Sequence, residues 1–266
     1  MRILNKDPFS NSSFIDLKDQ SWLDKQRFAG KIAAKTLLLL KNTVLEKTTK
    51  SLLELNSIAE EFINNSGGTP TFKGYKGFPA GVCISVNKEL VHGIPKDYKL
   101  KEGDVVSFDL GVTFEGAIAD SAITCIFGNA KEEKHIKLIQ ATEEALNKAI
   151  ESISVGARLG VIGQTISKYV KNSGFGLITN YGGHGLSWNN PHSQPFVSNK
   201  STSDEGIRIQ SGLSIAIEPM LVIGSTNTNV LSDGWTVITS DIGSHAEHTV
   251  YVHENHVEII TSRDNL

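Results

Sequence analysis

The sequence predicts an α+β protein in which two pairs of helices alternate with two sets of antiparallel strands. Segments of helical length with apolar stripes or Ala- and Leu-rich content occur at about 22–41, 52–64, 132–152 and 159–172. Runs in which apolar and polar residues alternate, bounded by turn-forming residues, occur after the second helix and again after the fourth. The chain of 266 residues is long enough to bury a substantial core.

Residues 1–20 are polar and rich in turn-forming types, and we expect them to be a loosely ordered extension of a single domain at 21–266. They lack an apolar core of signal-peptide length, and the longest apolar run, at 37–40, is too short to cross a bilayer. Cys83 and Cys125 form no CxxC motif. We therefore expect a cytoplasmic protein. A net charge of −3 argues against a nucleic-acid or anionic-membrane surface.

The first helix pair is followed by a loop and a short strand that precede a candidate site residue. The second helix ends at Asn-Asn-Ser-Gly-Gly, which is typical of a C-cap. A loop rich in glycine and aromatic residues follows at 69–81, and a strand is predicted at 82–86. His92 lies between the end of a strand and a turn, a position from which a side chain can face a cleft, although most isolated histidines are structural.

The most informative segment, 104–120, has the alternation of a β-hairpin with its turn near residues 114–116. If the loop has an even number of residues, positions whose numbers sum to 229 face each other, which pairs Asp109 with Asp120. Like charges directly opposed on a sheet are destabilising. The pair therefore needs a shared proton or a bound cation, unless the hairpin is simply solvated at the surface.

The second set of strands carries further polar residues in unusual surroundings. His184 lies in a predicted turn with the sequence Gly-Gly-His-Gly, and His192 follows in a segment rich in Asn and Pro. Glu218 interrupts the apolar run at 213–223, where an unpaired acid would be costly to bury. His184 and Glu218 are candidates for additional ligands of a cation.

The last alternating run, at 244–252, places His245 and Glu247 on one strand face. The candidate ligands then comprise one imidazole and four carboxylates, whose formal charge of about −4 two divalent ions would neutralise. An oxygen-rich set with one nitrogen suits Mn, Fe, Co, Ni or Zn, and two such ions can activate a bridging water. This pattern predicts a hydrolase whose ligands are Asp109, Asp120, His184, Glu218 and Glu247.

Five motifs surround these residues: Val-Cys-Ile-Ser-Val-Asn with His-Gly-Ile-Pro, Asp-x10-Asp, Gly-Gly-His-Gly, Ile-Glu-Pro-Met and Glu-His-Thr. In this order and spacing they resemble those of type I methionine aminopeptidases of the pita-bread metallopeptidase family, over residues 14–262. The resemblance implies a curved antiparallel sheet inside, helix pairs outside and pseudo-two-fold symmetry. It also implies removal of the initiator methionine from nascent proteins when the next residue is small, by attack of a metal-bridging hydroxide.

The resemblance implies a role for each candidate ligand. Asp109 would bind one metal ion, His184 and Glu218 the other, and Asp120 and Glu247 would bridge the two. Glu218 would also be catalytic by carrying the proton of the bridging water. The cofactors would be two divalent ions of Co, Mn, Fe, Ni or Zn.

The resemblance also implies a substrate side of the site. His92 and His192 correspond to two catalytic, substrate-binding histidines, and the methionine pocket would be lined by Tyr75, Phe78, Cys83 and Trp235. The alternative for these aromatic residues is a place in the core. The implied partners are the N-termini of nascent polypeptides at the ribosome, and we expect a monomer.

Three departures from the family pattern bear on the site. His245 stands where the family has Gln before its aromatic-Glu-His-Thr sequence. The segment between His184 and His192 is one residue longer than usual, with Pro191 where an aromatic residue is typical. Ser193 and Gln194 replace acidic residues.

Two other functions remain open from the sequence. The first is an X-Pro aminopeptidase or dipeptidase with the same ligands, although such enzymes usually have a large N-terminal domain. The second is a non-catalytic relative that binds a peptide or the ribosome. The presence of all five ligand types disfavours the second alternative.

Overall fold

The computed structural model describes residues 2–4, 14–46, 51–264 and 266. Its elements follow the predicted order of helix pair, strands, helix pair and strands, except that two short strands that were not predicted precede the first helix. The helices are α1 (Gln20–Leu45), α2 (Leu52–Asn65), α3 (Glu133–Glu151) and α4 (Gly160–Val170). The strands of the first half are β1 (Arg2–Leu4), β2 (Phe14–Asp16), β3 (Thr69–Pro70), β4 (Cys83–Val86), β5 (Glu89–Val91), β6 (Val105–Phe114) and β7 (Ala117–Ile126). Those of the second half are β8 (Gly176–Leu177), β9 (Gly182–Ser187), β10 (Asn190–Ser198), β11 (Ser214–Ile217), β12 (Met220–Val222), β13 (Asn229–Val230), β14 (Val237–Ile238), β15 (Gly243–His245), β16 (Glu247–Val252) and β17 (Val257–Ile259).

One large, curved antiparallel sheet runs through both halves of the protein. Its strands are ordered β10-β9-β11-β16-β7-β6-β3, with β17 also paired to β16 and β4 also paired to β6. The halves join where β16 pairs with β7, and this short seam aligns Glu247 with Ala122. The centre of the sheet is therefore formed by one strand from each half.

Each helix pair covers its own half of this sheet. Side chains of α1 and α2, including Leu37 and Leu55, share a buried core with Phe108 of β6. Side chains of α3 and α4, including Ile166, share a second core with Ile215 of β11. The apolar faces of the helices are thus buried against strands, which accounts for most of the stability of such helices.

The predicted extension at residues 1–20 is only partly described. Residues 1 and 5–13 lie outside the described residues, but β2 pairs with β1. Ile15 and Leu17 are buried in the core of the second half, and the backbone N–H of Lys18 donates to the carbonyl of Gly212 over 2.7 Å. The segment from Phe14 onward is therefore packed on the domain rather than loosely ordered, while the boundary at residue 20 stays a prediction.

The predicted hairpin is present as β6 and β7, but its register differs from the prediction. Facing positions sum to 231, so that Asp109 faces Ala122 and Gly111 faces Asp120. The loop contains only Glu115-Gly116, whose φ angles of 45° and 83° are those of a tight hairpin turn. Asp109 and Asp120 are consequently diagonal neighbours on one face of the sheet and are not directly opposed.

A second two-stranded ribbon does contain directly opposed acids. β11 pairs with β16 and β12 pairs with β15, and facing positions sum to 465 in both pairs. The register therefore continues across the gap between these pairs, and it places Glu218 opposite Glu247. The ladder is interrupted there because Pro219 has no N–H to donate, although its carbonyl accepts from the N–H of Ala246 over 3.3 Å.

Gln26 is a buried polar residue of α1 that contacts both halves of the sheet. Its side-chain amide donates to the carbonyl of Ile118 in β7 over 2.7 Å, and its side-chain oxygen accepts from the hydroxyl of Ser214 in β11 over 3.0 Å. We expect Gln26→Leu to lower the free energy of unfolding by about 2 kcal/mol, because it leaves buried polar groups without these partners.

Denaturant unfolding measures this change, with Gln20→Leu as the matched control. Gln20 is exposed at the start of the same helix, and its substitution should change the free energy of unfolding by less than about 0.5 kcal/mol. Equal stability of the two variants would contradict the role of Gln26.

Candidate metal centre

The five predicted ligands meet near the centre of the large sheet. Asp109 lies on β6, Asp120 on β7 and His184 on β9, while Glu218 follows β11 and Glu247 begins β16. Ligand atoms of Asp109, Asp120 and Glu247 lie within 4.8 Å of one another, and so do those of His184, Glu218 and Glu247. Because the two groups share Glu247, the arrangement has room for two neighbouring cations.

The imidazole of His184 faces three of the carboxylates. Its Nε2 lies 3.5 Å from Glu218 Oε1, 3.8 Å from Asp120 Oδ2 and 4.0 Å from Glu247 Oε1. Its Nδ1 lies 3.2 Å from the carbonyl oxygen of Gly185. A proton on Nδ1 would satisfy that carbonyl and leave Nε2 as a lone-pair donor, which is the tautomer that a metal ligand requires.

The carboxyl groups are buried, and their proton affinities reflect it. Burial together with neighbouring negative charge raises the pKa of Asp109, Glu218 and Glu247 well above the usual range of carboxylic acids. Burial raises the pKa of Asp120 to about 7 and lowers that of His184 to about 4. Without cations, the cluster therefore retains protons on its carboxyl groups, and cations that bind there would displace them.

The residues present fit a divalent metal centre. Asp120 is 1% exposed, and its Oδ1 has no hydrogen-bond partner within the part of the chain that the structure describes. A buried carboxylate oxygen left unpaired is costly, and a cation would satisfy it. Four carboxylates with one imidazole are ligands typical of first-row divalent ions.

Arg263 is connected to the carboxylate cluster through Ser121 and the backbone of Glu247. It was not identified from the sequence. Its guanidinium donates to Ser121 Oγ over 2.9 Å and lies 3.2 Å from His248 Nε2. The Ser121 hydroxyl donates in turn to the backbone carbonyl of Glu247 over 2.8 Å. This network ties the C-terminal segment to the seam between β7 and β16.

A cavity of about 320 Å³ adjoins the carboxylate cluster. The rings of Phe78 and Trp235 meet edge to face within it, with their centroids 5.2 Å apart, and the ring of His192 lies 4.4 Å from that of His184. The cavity is lined by every residue predicted for the substrate side, namely Tyr75, Phe78, Cys83, His92, His192 and Trp235.

His92 reaches this cavity through an unusual backbone conformation. Its φ of 58° lies in the left-handed region that residues other than glycine rarely adopt. The next residue is fixed, because the N–H of Gly93 donates to Ser85 Oγ over 3.1 Å and its carbonyl accepts from the N–H of Ile84. Strain of this kind is concentrated at functional sites in proteins.

His184 and His192 lie on strands, not in turns or loops. His184 is in β9 and His192 in β10, whose pairing shifts register between Asn190 and Ser193 and again between Ser193 and Phe196. Such bulges re-aim side chains and absorb additional residues. Pro191 is buried at the first of these shifts.

Sequence reasoning missed several other residues that line the cavity, among them Phe72, Tyr181, Met220 and Phe196. Phe72 belongs to the aromatic loop, Tyr181 directly precedes Gly-Gly-His-Gly, and Met220 follows Glu-Pro, so each lies next to a recognised motif. Phe196 also lines the cavity, and no sequence signal points to it.

The fold and this cluster of candidate metal ligands define a metallopeptidase. A family model described as metallopeptidase family M24 matches residues 24–254, and the chain therefore belongs to this family. Within the described residues, no helix has the length and apolar character that a membrane span needs.

The relatives of the chain include methionine aminopeptidases. That of Clostridium perfringens is 44% identical over 249 residues, which cover 93% of this chain and 98% of the relative. That of Mycoplasma capricolum is 41% identical over 252 residues, which cover 94% and 99% of the two chains. These matches confirm the predicted resemblance and the prediction of a metal-dependent hydrolase.

Solved structures confirm the predicted pita-bread fold. A methionine aminopeptidase from Thermotoga maritima superposes with a TM-score of 0.89 at 35% identity and covers 93% of this chain and 99% of its own. A prolidase from Pyrococcus furiosus superposes with a TM-score of 0.73 at 22% identity, and 65% of its chain is matched. The second likeness concerns the fold alone.

The shifted pKa of Asp120 predicts how the stability of the metal-free protein depends on pH. Its pKa is about 7 in the folded protein against an ordinary value of 3.8. Between these pH values the folded state holds a proton that the unfolded state has lost. Rising pH should therefore lower the free energy of unfolding in EDTA, by on the order of a few kcal/mol between about pH 4 and 7.

Denaturant unfolding in EDTA at pH 5 and pH 7.5 measures this effect. Asp120→Asn should show a smaller pH dependence, and excess Mn²⁺ should restore the stability of the unmodified protein at pH 7.5. Equal stability at the two pH values in EDTA would contradict the prediction.

Proposed function

We propose that the protein removes the N-terminal methionine from polypeptides whose second residue is small. The main support for this proposal is that the five candidate ligands border a single cavity, which is also lined by aromatic residues and two further histidines. Relatives named methionine aminopeptidase that match nearly the whole chain support the same activity.

We propose two divalent metal ions as cofactors, drawn from Co, Mn, Fe, Ni and Zn. Asp109 would hold one ion, His184 and Glu218 the other, and Asp120 and Glu247 would contact both. Three overlapping ligand groups support this assignment, since Glu247 belongs to two of them and a third places Asp120 with His184 and His192. When bound, the ions supply Lewis acidity and a nucleophilic water at neutral pH.

The side chains around the cluster can perform the proton transfers and bind the peptide. Glu218 lines the cavity, so this carboxylate is placed to accept a proton from the attacking water and return it to the leaving amine. His92 and His192 both line the cavity, with the ring of His92 centred 6.2 Å from that of Trp235 and the ring of His192 centred 5.2 Å from that of Tyr75. From there they can hydrogen-bond the scissile peptide unit and orient its carbonyl toward the carboxylate cluster.

The cavity suits the side chain of methionine. Phe78 and Cys83 are buried in a small apolar cluster against which Trp235 packs. Sulfur contacts aromatic rings favourably, often at their edges. A cavity of about 320 Å³ lies at the lower end of the usual range for ligand pockets, which favours binding of one terminal residue.

We propose that the substrates are nascent chains, encountered by a monomeric enzyme in the cytoplasm close to the ribosome. Both cysteines, Cys83 and Cys125, are buried and free of disulfide bonds, as is usual for proteins of a reducing compartment. The initiator methionine becomes accessible during synthesis, which favours action on emerging N-termini.

Removing a single ligand should abolish turnover without unfolding the domain. We expect Asp109→Ala and Glu218→Ala each to lower kcat/KM for a Met-Ala-Ser peptide by at least about 1,000-fold, because each change removes a group from the reacting centre. Circular dichroism should remain unchanged. Asp204→Ala, at an exposed position, is the control and should keep full activity; comparable activity in Asp109→Ala would refute the assignment.

The proposed specificity is tested with a peptide panel. The metal-free protein is refilled with Mn, Fe, Co, Ni or Zn and assayed on Met-Ala-Ser, Met-Lys-Ser, Leu-Ala-Ser and Ala-Pro peptides. We expect metal-dependent release of methionine from Met-Ala-Ser only. Cleavage before proline would instead assign X-Pro peptidase activity, and inactivity with every metal would favour a non-catalytic binding function.

A further inference from the structure

His245 is a buried histidine beside the carboxylate cluster, and its ring has no hydrogen-bond partner among the described residues. It is 1% exposed, and within the described part of the chain neither Nδ1 nor Nε2 has a hydrogen-bond partner. Buried polar atoms are nearly always paired, and exceptions need an explanation. The hydrogen bonding of this imidazole therefore depends on the conformation and binding state of the side chain beside it.

That neighbour is Glu218, which lies between two imidazoles. Its Oε1 faces His184 Nε2 at 3.5 Å, whereas its Oε2 faces His245 Nε2 at 3.4 Å. The second separation is slightly longer than a hydrogen bond, and a small rotation of either side chain would close it. Each oxygen of the carboxylate thus has its own imidazole.

The backbone holds His245 firmly in this position. Its N–H donates to Thr124 Oγ1 over 3.0 Å, and its carbonyl accepts from the same hydroxyl over 2.7 Å. The hydroxyl of Ser107 lies 2.8 Å from Thr124 Oγ1. A side chain supported in this way can orient a neighbouring group with little loss of conformational freedom.

We propose that His245 is a positioning residue that fixes Glu218 for metal binding. Its Nε2–H donates to Glu218 Oε2 and directs Oε1 toward the ion that Glu218 shares with His184. His245 is not itself a ligand, since the described groups with ligand atoms within 4.8 Å of one another do not include it. This inference rests on the proposed metal binding by Glu218. Partners of this kind typically change metal affinity by 10- to 100-fold.

The test is calorimetric titration of the metal-free protein with Mn²⁺. We expect His245→Leu to weaken binding by about 10-fold or more, because leucine has a similar size but no N–H. His245→Gln should bind nearly as well as the unmodified protein, because its amide again offers a donor. A role in packing alone would not be rescued in this way.

His135→Leu is the matched control. His135 is 3% exposed on α3, and its Nδ1 also has no partner within the described residues, yet it lies outside the cavity. Its substitution should leave the affinity for Mn²⁺ unchanged. Thermal unfolding in EDTA identifies any variant that fails to fold; if His245→Leu does, His245→Asn, whose amide lies closer to the backbone, replaces it and should also bind Mn²⁺ more weakly.

Two results would overturn the inference while leaving the proposed function intact. One is that His245→Leu, or His245→Asn if it is used instead, binds Mn²⁺ as tightly as the unmodified protein. The other is loss of one imidazole ligand in His245→Gln, measured by X-ray absorption of the Co²⁺-loaded protein, because it would make His245 a ligand. If the unmodified protein bound no divalent ion, the proposed function itself would fail.

Discussion

The structure depends on holding four carboxyl groups together in a buried place where their charges repel one another. Asp109, Asp120 and Glu247 are almost completely removed from solvent, and burial is the largest cause of the raised pKa of each. Such a cluster does not stabilise the fold by itself, since the desolvation of acids is unfavourable. The surrounding sheet must therefore be rigid enough to keep the acids at these positions until protons or cations neutralise them.

Rigidity at the centre of the sheet comes from the residues that follow Glu247, in the sequence Glu-His-Thr. The hydroxyl of Thr249 donates to the carbonyl of Asp120 over 2.8 Å, and the N–H of Asp120 donates to the same hydroxyl oxygen over 2.8 Å. His248 Nδ1 lies 2.8 Å from Thr261 Oγ1, and its Nε2 faces Arg263. The candidate ligand Glu247 is thus followed directly on β16 by His248 and Thr249, whose side chains join this strand to the C-terminal segment and to β7.

The sequence was informative wherever a local period or a short motif determined the structure. Alternation identified the hairpin of Asp109 and Asp120, but it could not fix the register, because the two-residue turn depends on positive φ at Glu115 as well as at glycine. The candidate ligands, which the structure brings together, could be identified because an acid within an apolar run, such as Glu218, has few structural explanations. Phe196 could not be found, since only the bulged path of β10 brings it to the cavity. Residues carried by irregular backbone depend on tertiary contacts that no short pattern encodes.

The interruption of the ribbon at Glu218 and Pro219 explains how opposed acids can exist in a sheet at all. In a regular ladder, two like charges directly opposite each other are unfavourable. Backbone hydrogen bonds between the strands would hold the two side chains close together. Here the proline removes one donor, and the two strands leave the large sheet and continue as β12 and β15 in a three-stranded sheet with β8. The register is preserved while the local pairing is relaxed. The facing acids therefore lie close enough to share a cation, and the same ribbon brings Met220 and His245 to the adjoining positions.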